Sequence, residues 1–138
     1  MRYLLDTNIL IFVLMGDKDN ISADVQQIID DFSNTLYVSS LSIVEVVYLF
    51  ENEKIKTKHR SAEALCKAIE EDLYIQILHT KDEHLKTYSR LKLAENHKDQ
   101  IDHFIISQAV CEKIPLVSSD RKFYSYIPQN LDFVYNKR

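Results

Sequence analysis

The 138 residues carry 46% hydrophobic and 28% charged side chains, a balance that supports a packed core and excludes an intrinsically disordered chain. The net charge of −4, from 21 acidic against 17 basic residues, is the wrong sign for a simple nucleic-acid clamp. It suits a protein that collects carboxylates around divalent cations. No apolar run approaches the ~20 residues that span a bilayer, no secretory leader opens the chain, and Cys66 and Cys111 match neither a disulfide framework nor a zinc spacing. One cytoplasmic, reduced domain over residues 1–138, without membrane contact, is the expectation.

Tyr3 to Leu5 is an apolar run of the length of a strand buried on both faces, and Asp6 closes it. Thr7 or Asn8 is placed to cap a helix over Ile9 to Met15, and Gly16, the only glycine, falls where a C-terminal cap belongs. A carboxylate at the end of a buried first strand faces the crevice where open α/β sheets bind ligands; its alternative role is to cap the next helix. After a polar turn at Asp17 to Asn20, Ser22 caps a predicted helix over Ala23 to Phe32, with Val25, Ile28, Ile29 and Phe32 on one face. Thr35 to Val38 is a second strand.

Ser39 to Glu53 is predicted helical, with Leu41, Val44, Val47, Leu49 and Phe50 among the apolar residues around nearly its whole circumference. That helix is expected to be largely buried. Glu45 interrupts it. A buried carboxylate must be paired, neutral or bound to a cation. Ser42-x-x-Glu45 also fits a capping box, whereas Ser39 or Ser40 as cap would place Glu45 inside the helix.

The charged run Glu51 to Arg60, with its basic part Lys54 to Arg60, reads as a solvated connection and secondarily as a phosphate-contacting edge. Ser61 to Asp72 is an amphipathic helix, Tyr74 to Leu78 a third strand, and a further helix runs from Thr80 to about Ala94. Asn96 to Phe104 leads into a helix ending near Glu112. Asp99 and Asp102 share one face of its first turn, where the helix dipole also favours acids. His97 and His103 are expected to be exposed or to sit behind a ligand. Pro115 to Ser118 is a fourth strand ending in Ser118-Ser119-Asp120, a repeat of the opening pattern. Phe123 anchors a short helix, and Leu131 to Tyr135 is the last strand. This alternation of strands and helices calls for a parallel sheet between helical layers.

Asp6, Glu45, Asp102 and Asp120 thus stand where folding does not require acids. Carboxylate oxygens are preferred by Mg²⁺ and Mn²⁺, which lower the pKa of a bound water and clamp the oxygens of a phosphodiester. Brought together without a cation, the same groups repel one another.

In order and spacing the chain resembles PIN domains, and within them the small toxin nucleases of VapC type. The matching blocks are Leu5-Asp6-Thr7-Asn8-Ile9, Ser39 to Val46 around Glu45, His97 to Ala109 around Asp99 and Asp102, and Leu116-Val117-Ser118-Ser119-Asp120. Gln100-Ile101 and His103 depart from the Pro-Phe and Arg of that family's third block. The resemblance implies an α/β fold, a three-layer α/β/α sandwich around a five-stranded, mostly parallel sheet in order 3-2-1-4-5. It implies that Asp6, Glu45, Asp102 and Asp120 hold Mg²⁺ or Mn²⁺, with Asp99 a candidate fifth ligand and Thr7, Asn8 and Ser118 orienting the carboxylates. The implied activity is hydrolysis of RNA by a metal-activated water, leaving a 5′-phosphate and a 3′-hydroxyl; the basic residues beside the acids, Arg121 and Lys122, and secondarily the Lys54 to Arg60 segment, are expected against the RNA backbone. The implied partners are a cognate antitoxin and a second copy of the chain. A catalytically inactive RNA- or protein-binding module of the same fold is the alternative. A response-regulator receiver would need adjacent acids after the first strand, and a haloacid dehalogenase phosphatase a second Asp where Asn8 stands; neither is present.

Overall fold

The computed structural model describes residues 1–94 and 96–138. Strands β1 (Arg2–Leu5), β2 (Thr35–Ser39), β3 (Gln76–Leu78), β4 (Leu116–Ser118) and β5 (Phe133–Tyr135) form one sheet in the order β3-β2-β1-β4-β5. Every pairing in it is parallel. The crossovers carry helices α1 (Thr7–Leu14), α2 (Ala23–Asp30), α3 (Ser40–Glu51), α4 (Ala62–Glu71), α5 (Asp82–Arg90) and α6 (Gln100–Glu112), with a 3-10 segment at Arg121–Gln129 between β4 and β5. Fold class and strand order agree with the expectation.

Alternation along the strands sends neighbouring side chains into two cores. Leu5 and Val117 point to the layer of α1 to α4, where they meet Leu10, Val25, Val46 and Leu65. Leu4 and Leu116 point to the opposite layer, where they meet Ile105, Ile106, Phe123 and Tyr126. Among the described residues no helix is long and apolar enough to cross a membrane.

Most helix starts are built as the sequence suggests. Ser22 accepts from Val25 N at 3.3 Å and Ser61 from Ala64 N at 3.1 Å, each occupying one orphan donor of a first turn. Gly16, at φ +66°, follows α1 in the left-handed conformation that ends a helix. Asp6, rather than Thr7 or Asn8, is the N-cap of α1. Ser39 caps α3 by accepting from Leu41 N at 3.2 Å, so Glu45 lies inside the helix and not in a capping box.

Several boundaries and burials differ from expectation. Helix α2 stops at Asp30, so Phe32 is 97% exposed instead of sharing the buried face. Tyr74 lies outside β3, in a left-handed turn at φ 55°, and is exposed. Helix α5 ends at Arg90 and not near Ala94. The chain beyond it serves tertiary bonds, from Lys92 N to Gln129 Oε1 (2.9 Å) and from Ala94 N to the Tyr126 hydroxyl (3.1 Å), which a continuing helix would forgo. Helix α3 is not largely buried. It packs one stripe on the sheet, leaving Val44 62% and Tyr48 63% exposed, because no second layer covers its outer side among the described residues.

Candidate metal centre

The carboxyl ends of β1 and β4 lie side by side, with Leu5 opposite Val117 in register, so the residues after them meet at the point where strand order reverses. A crevice of about 200 Å³ opens there, lined by Asp6, Glu45, Asp102 and Asp120 together with Thr7, Asn8, Ile11 and Leu49. Four acids separated by up to 114 positions in the chain thus face one small space, and each arrives from a different element.

Asp6 is the buried member. Its Oδ1 accepts from Thr7 N at 2.9 Å, and its Oδ2 from the Ser118 hydroxyl at 2.7 Å and Asn8 Nδ2 at 3.2 Å. Asn8 also reaches β4, its Oδ1 accepting from Ser119 N at 3.3 Å. Asp120 N donates to Ser118 Oγ at 3.0 Å, so one serine ties both strand-end acids together. The Thr7 hydroxyl donates to Ser42 Oγ at 2.9 Å and pins the start of α1 to the helix that carries Glu45. Ser42 escaped attention in the sequence except as a capping residue, although it sits one turn before Glu45 on the same helical face.

Asp102 enters from the first turn of α6. Asp99 is the N-cap of that helix, exposed, with its carboxylate accepting from Ile101 N (2.9 Å) and Asp102 N (3.2 Å), and it is not among the residues lining the crevice. His97, Asp102 and Asp120 bring side-chain nitrogen and oxygen atoms within 4.8 Å of one another, although His97 too is not among the residues lining the crevice. Both histidines depart from an exposed placement, His97 and His103 being 3% exposed, because Tyr126 folds over them. His97 Nε2 lies 3.2 Å from Asp102 Oδ2, His97 Nδ1 2.7 Å from the Tyr126 hydroxyl, and His103 Nε2 2.7 Å from the same oxygen.

Burial lowers the pKa of both imidazoles, favouring neutral rings. With Asp102 ionised, the proton pattern that satisfies the chain runs one way: His103 N–H to Tyr126 oxygen, Tyr126 O–H to His97 Nδ1, and His97 Nε2–H to the carboxylate. In that pattern Tyr126 accepts from His103 and donates to His97, which turns the His97 Nε2–H toward Asp102. No local sequence signal pointed to Tyr126.

Electrostatically the crevice is unfinished. Burial, with Asp102 and Glu45 nearby, pushes Asp6 up to about 7, and burial with Asp99, Asp120 and Glu45 pushes Asp102 up to about 7. Apart from the His97–Asp102 contact, no ion pair reaches these acids among the described residues. Oxygen donors of this number, desolvated and mutually repelling, fit a hard divalent cation such as Mg²⁺ or Mn²⁺.

The sequence model of the PIN domain matches residues 3–127. The chain belongs to the PIN domain family. This PIN domain is similar in fold to VapBC2 of Rickettsia felis bound to a DNA fragment from its promoter, at TM-score 0.71 and 21% identity over 99% of this chain and 100% of the other. It is similar to DNA-bound VapBC of Salmonella typhimurium, at TM-score 0.69 and 19% identity over 98% of each chain. A toxin–antitoxin complex from Klebsiella pneumoniae aligns at TM-score 0.63 and 17% identity, over 96% of this chain and 95% of the other. No curated protein sequence matches the chain.

Proposed function

We propose that this PIN domain is a Mg²⁺- or Mn²⁺-dependent endoribonuclease, the cytoplasmic toxin of a type II toxin–antitoxin pair. The observation that carries the proposal is the convergence of Asp6, Glu45, Asp102 and Asp120 on one crevice, where burial and mutual repulsion disfavour the ionised forms of Asp6 and Asp102. A bound divalent ion supplies a water of lowered pKa and neutralises charge on the phosphodiester oxygens.

The protein's own residues prepare the site. Ser118 and Asn8 hold the Asp6 carboxylate, and the His97–Tyr126–His103 chain holds Asp102, so little reorganisation is left for the moment of reaction. Glu45 and Asp120 complete the donor set. Asp99 acts as a cap whose negative charge raises Asp102, a role that contributes to the field of the site without contact. Exposed Arg121 and Lys122 follow Asp120 directly and meet the RNA backbone, with the Lys54 to Arg60 segment as a further basic edge. Partnership with an antitoxin is supported by fold likeness to toxin–antitoxin complexes, and a homodimer is carried over from the family resemblance.

The test is cleavage of structured RNA by purified protein with Mn²⁺, with EDTA, and by an Asp6→Asn variant. Cleavage is expected only with metal and wild-type protein, with 5′-phosphate products. Cleavage that survives EDTA or the substitution removes the metal mechanism. Saturable RNA binding with no cleavage under any condition favours the inactive binding module.

A further inference from the structure

Beside the acidic crevice the molecule carries an aromatic surface that neither the core nor the acids use. Ser118, whose hydroxyl donates to the crevice carboxylate of Asp6 at 2.7 Å, is paired in register with Tyr135 on edge strand β5, so the Tyr135 backbone lies one strand spacing, ~5 Å, from it. The Arg121 guanidinium sits 5.6 Å from the Tyr135 ring centroid, and its Nε donates to the Tyr135 hydroxyl at 3.0 Å. Tyr124 packs against Phe133 at 4.9 Å in a T-shaped contact and against Tyr135 at 5.6 Å, yet remains 49% exposed.

The strand that carries Tyr135 is anchored just beyond it. Asn136 next to it is buried, its Nδ2 donating to Ser119 Oγ and Asn20 O at 2.7 Å each and its Oδ1 accepting from Ser22 N at 2.7 Å. Asn136 N donates to Ser118 O at 2.8 Å. The end of β5 is thereby fixed relative to the end of β4.

Residues 121–138 carry Arg121, Lys122, Lys137 and Arg138 against Asp132 alone, in a chain whose net charge is −4, with Arg138 lying over the Phe12 ring. Lys122 is exposed and tied by its backbone to the crevice, its N donating to Asp120 Oδ1 at 2.9 Å. A half-open aromatic ring beside a guanidinium held on the neighbouring Tyr135, with exposed Lys122 next in the chain, is a combination that accepts an unpaired base with its phosphates. Double-stranded RNA, whose bases stay stacked, presents no such face.

We propose that Tyr124, Tyr135 and Arg121 form a stacking platform for one unpaired nucleotide of the RNA strand, adjacent to the bond at the crevice. The proposal rests on the nuclease reading and names the substrate feature it selects: a single-stranded segment, loop or bulge. Lys122 meets the phosphate, and the aromatic pair meets the base.

The test is fluorescence anisotropy in EDTA with a short oligouridylate and with an abasic ribose–phosphate chain of the same length. Tyr124→Ala is expected to weaken oligouridylate binding about tenfold, as expected for loss of one stacked base, while leaving abasic binding unchanged. Tyr124→Phe, which keeps the ring, is expected to restore wild-type binding. Equal loss on both probes, loss on neither, or capture by wild type of the abasic chain as tightly as of oligouridylate overturns the platform. The two proposals fail separately. Cleavage by wild type with base-independent binding sinks the platform alone, and base-dependent binding without metal-dependent cleavage sinks the nuclease alone.

Discussion

Helix α6 presents two polar clusters, one at each end, and both join a buried histidine to a carboxylate. At its C-terminal end His84 Nε2 meets Glu112 at 2.7 Å and Lys81 reaches the same oxygen at 3.4 Å. His84 Nδ1 accepts from Lys81 N, so the ring is used on both sides. Glu112 is held below the usual carboxylate range, first by the His84 hydrogen bond and then by Lys81. At the N-terminal end His97 meets Asp102, but Asp6, Glu45 and Asp120 crowd in as well and Asp102 is pushed up to about 7. One cluster has nearly balanced its own charges, leaving only Gln108 Oε1 unpartnered among the described buried side chains. The other gathers four carboxyl groups with no Lys or Arg side chain paired to them among the described residues, and two of them are pushed toward their neutral forms. A histidine–carboxylate pair is thus by itself uninformative; the surplus of acids distinguishes a site from a strut.

The largest expected contrast is in activity. Asp120→Asn should lower Mn²⁺-dependent RNA cleavage by about 100-fold or more, whereas Glu112→Gln should leave it within about threefold once the protein is folded. Comparable losses in both variants would erase the distinction between the two ends.

Stability should move in opposite directions. In EDTA at pH 8, Glu112→Ala is expected to cost about 1–3 kcal/mol in urea unfolding, since it strands a buried imidazole. Asp102→Asn should instead raise stability by about 1 kcal/mol, because it removes an ionised group that folding disfavours. The pH dependence follows the same signs. A carboxyl raised from 3.8 to about 7 binds more protons folded than unfolded, so metal-free stability falls as pH rises through that window and is flat above it. Glu112, lowered from 4.5, contributes stability that is complete above 4.5 and lost as pH falls through its folded value.

Much of this architecture was legible in the chain. Asp6 and Asp120 were readable because each ends a short apolar run, and Glu45 because it interrupts one. The exposed side of α3 was not readable, since an all-round apolar pattern cannot say whether a second layer covers Val44 and Tyr48. Asp99 and Asp102 looked equivalent by spacing. Only the backbone direction at the helix start makes one a cap and sends the other into the crevice. Tyr126 was invisible for a different reason: its hydroxyl joins His97, His103 and Ala94 N across 23 to 32 residues, and long-range hydrogen bonds leave no local period.

That relay supplies the next contrast. Tyr126→Phe should reduce stability by about 1–2 kcal/mol by leaving buried partners unsatisfied, and should weaken Mn²⁺ binding severalfold as Asp102 loses its fixed orientation. Substituting Gln108 at the opposite pole should leave Mn²⁺ affinity unchanged.

The most direct test is calorimetric titration of wild-type protein with Mn²⁺ at pH 8 and again at pH 5.5. Saturable binding at pH 8 is predicted, weaker at pH 5.5 where protons compete for Asp6 and Asp102, abolished by Asp120→Asn and indifferent to Glu112→Gln. Binding that is absent at pH 8, or that persists unchanged in Asp120→Asn, would contradict a cation at the four-acid crevice.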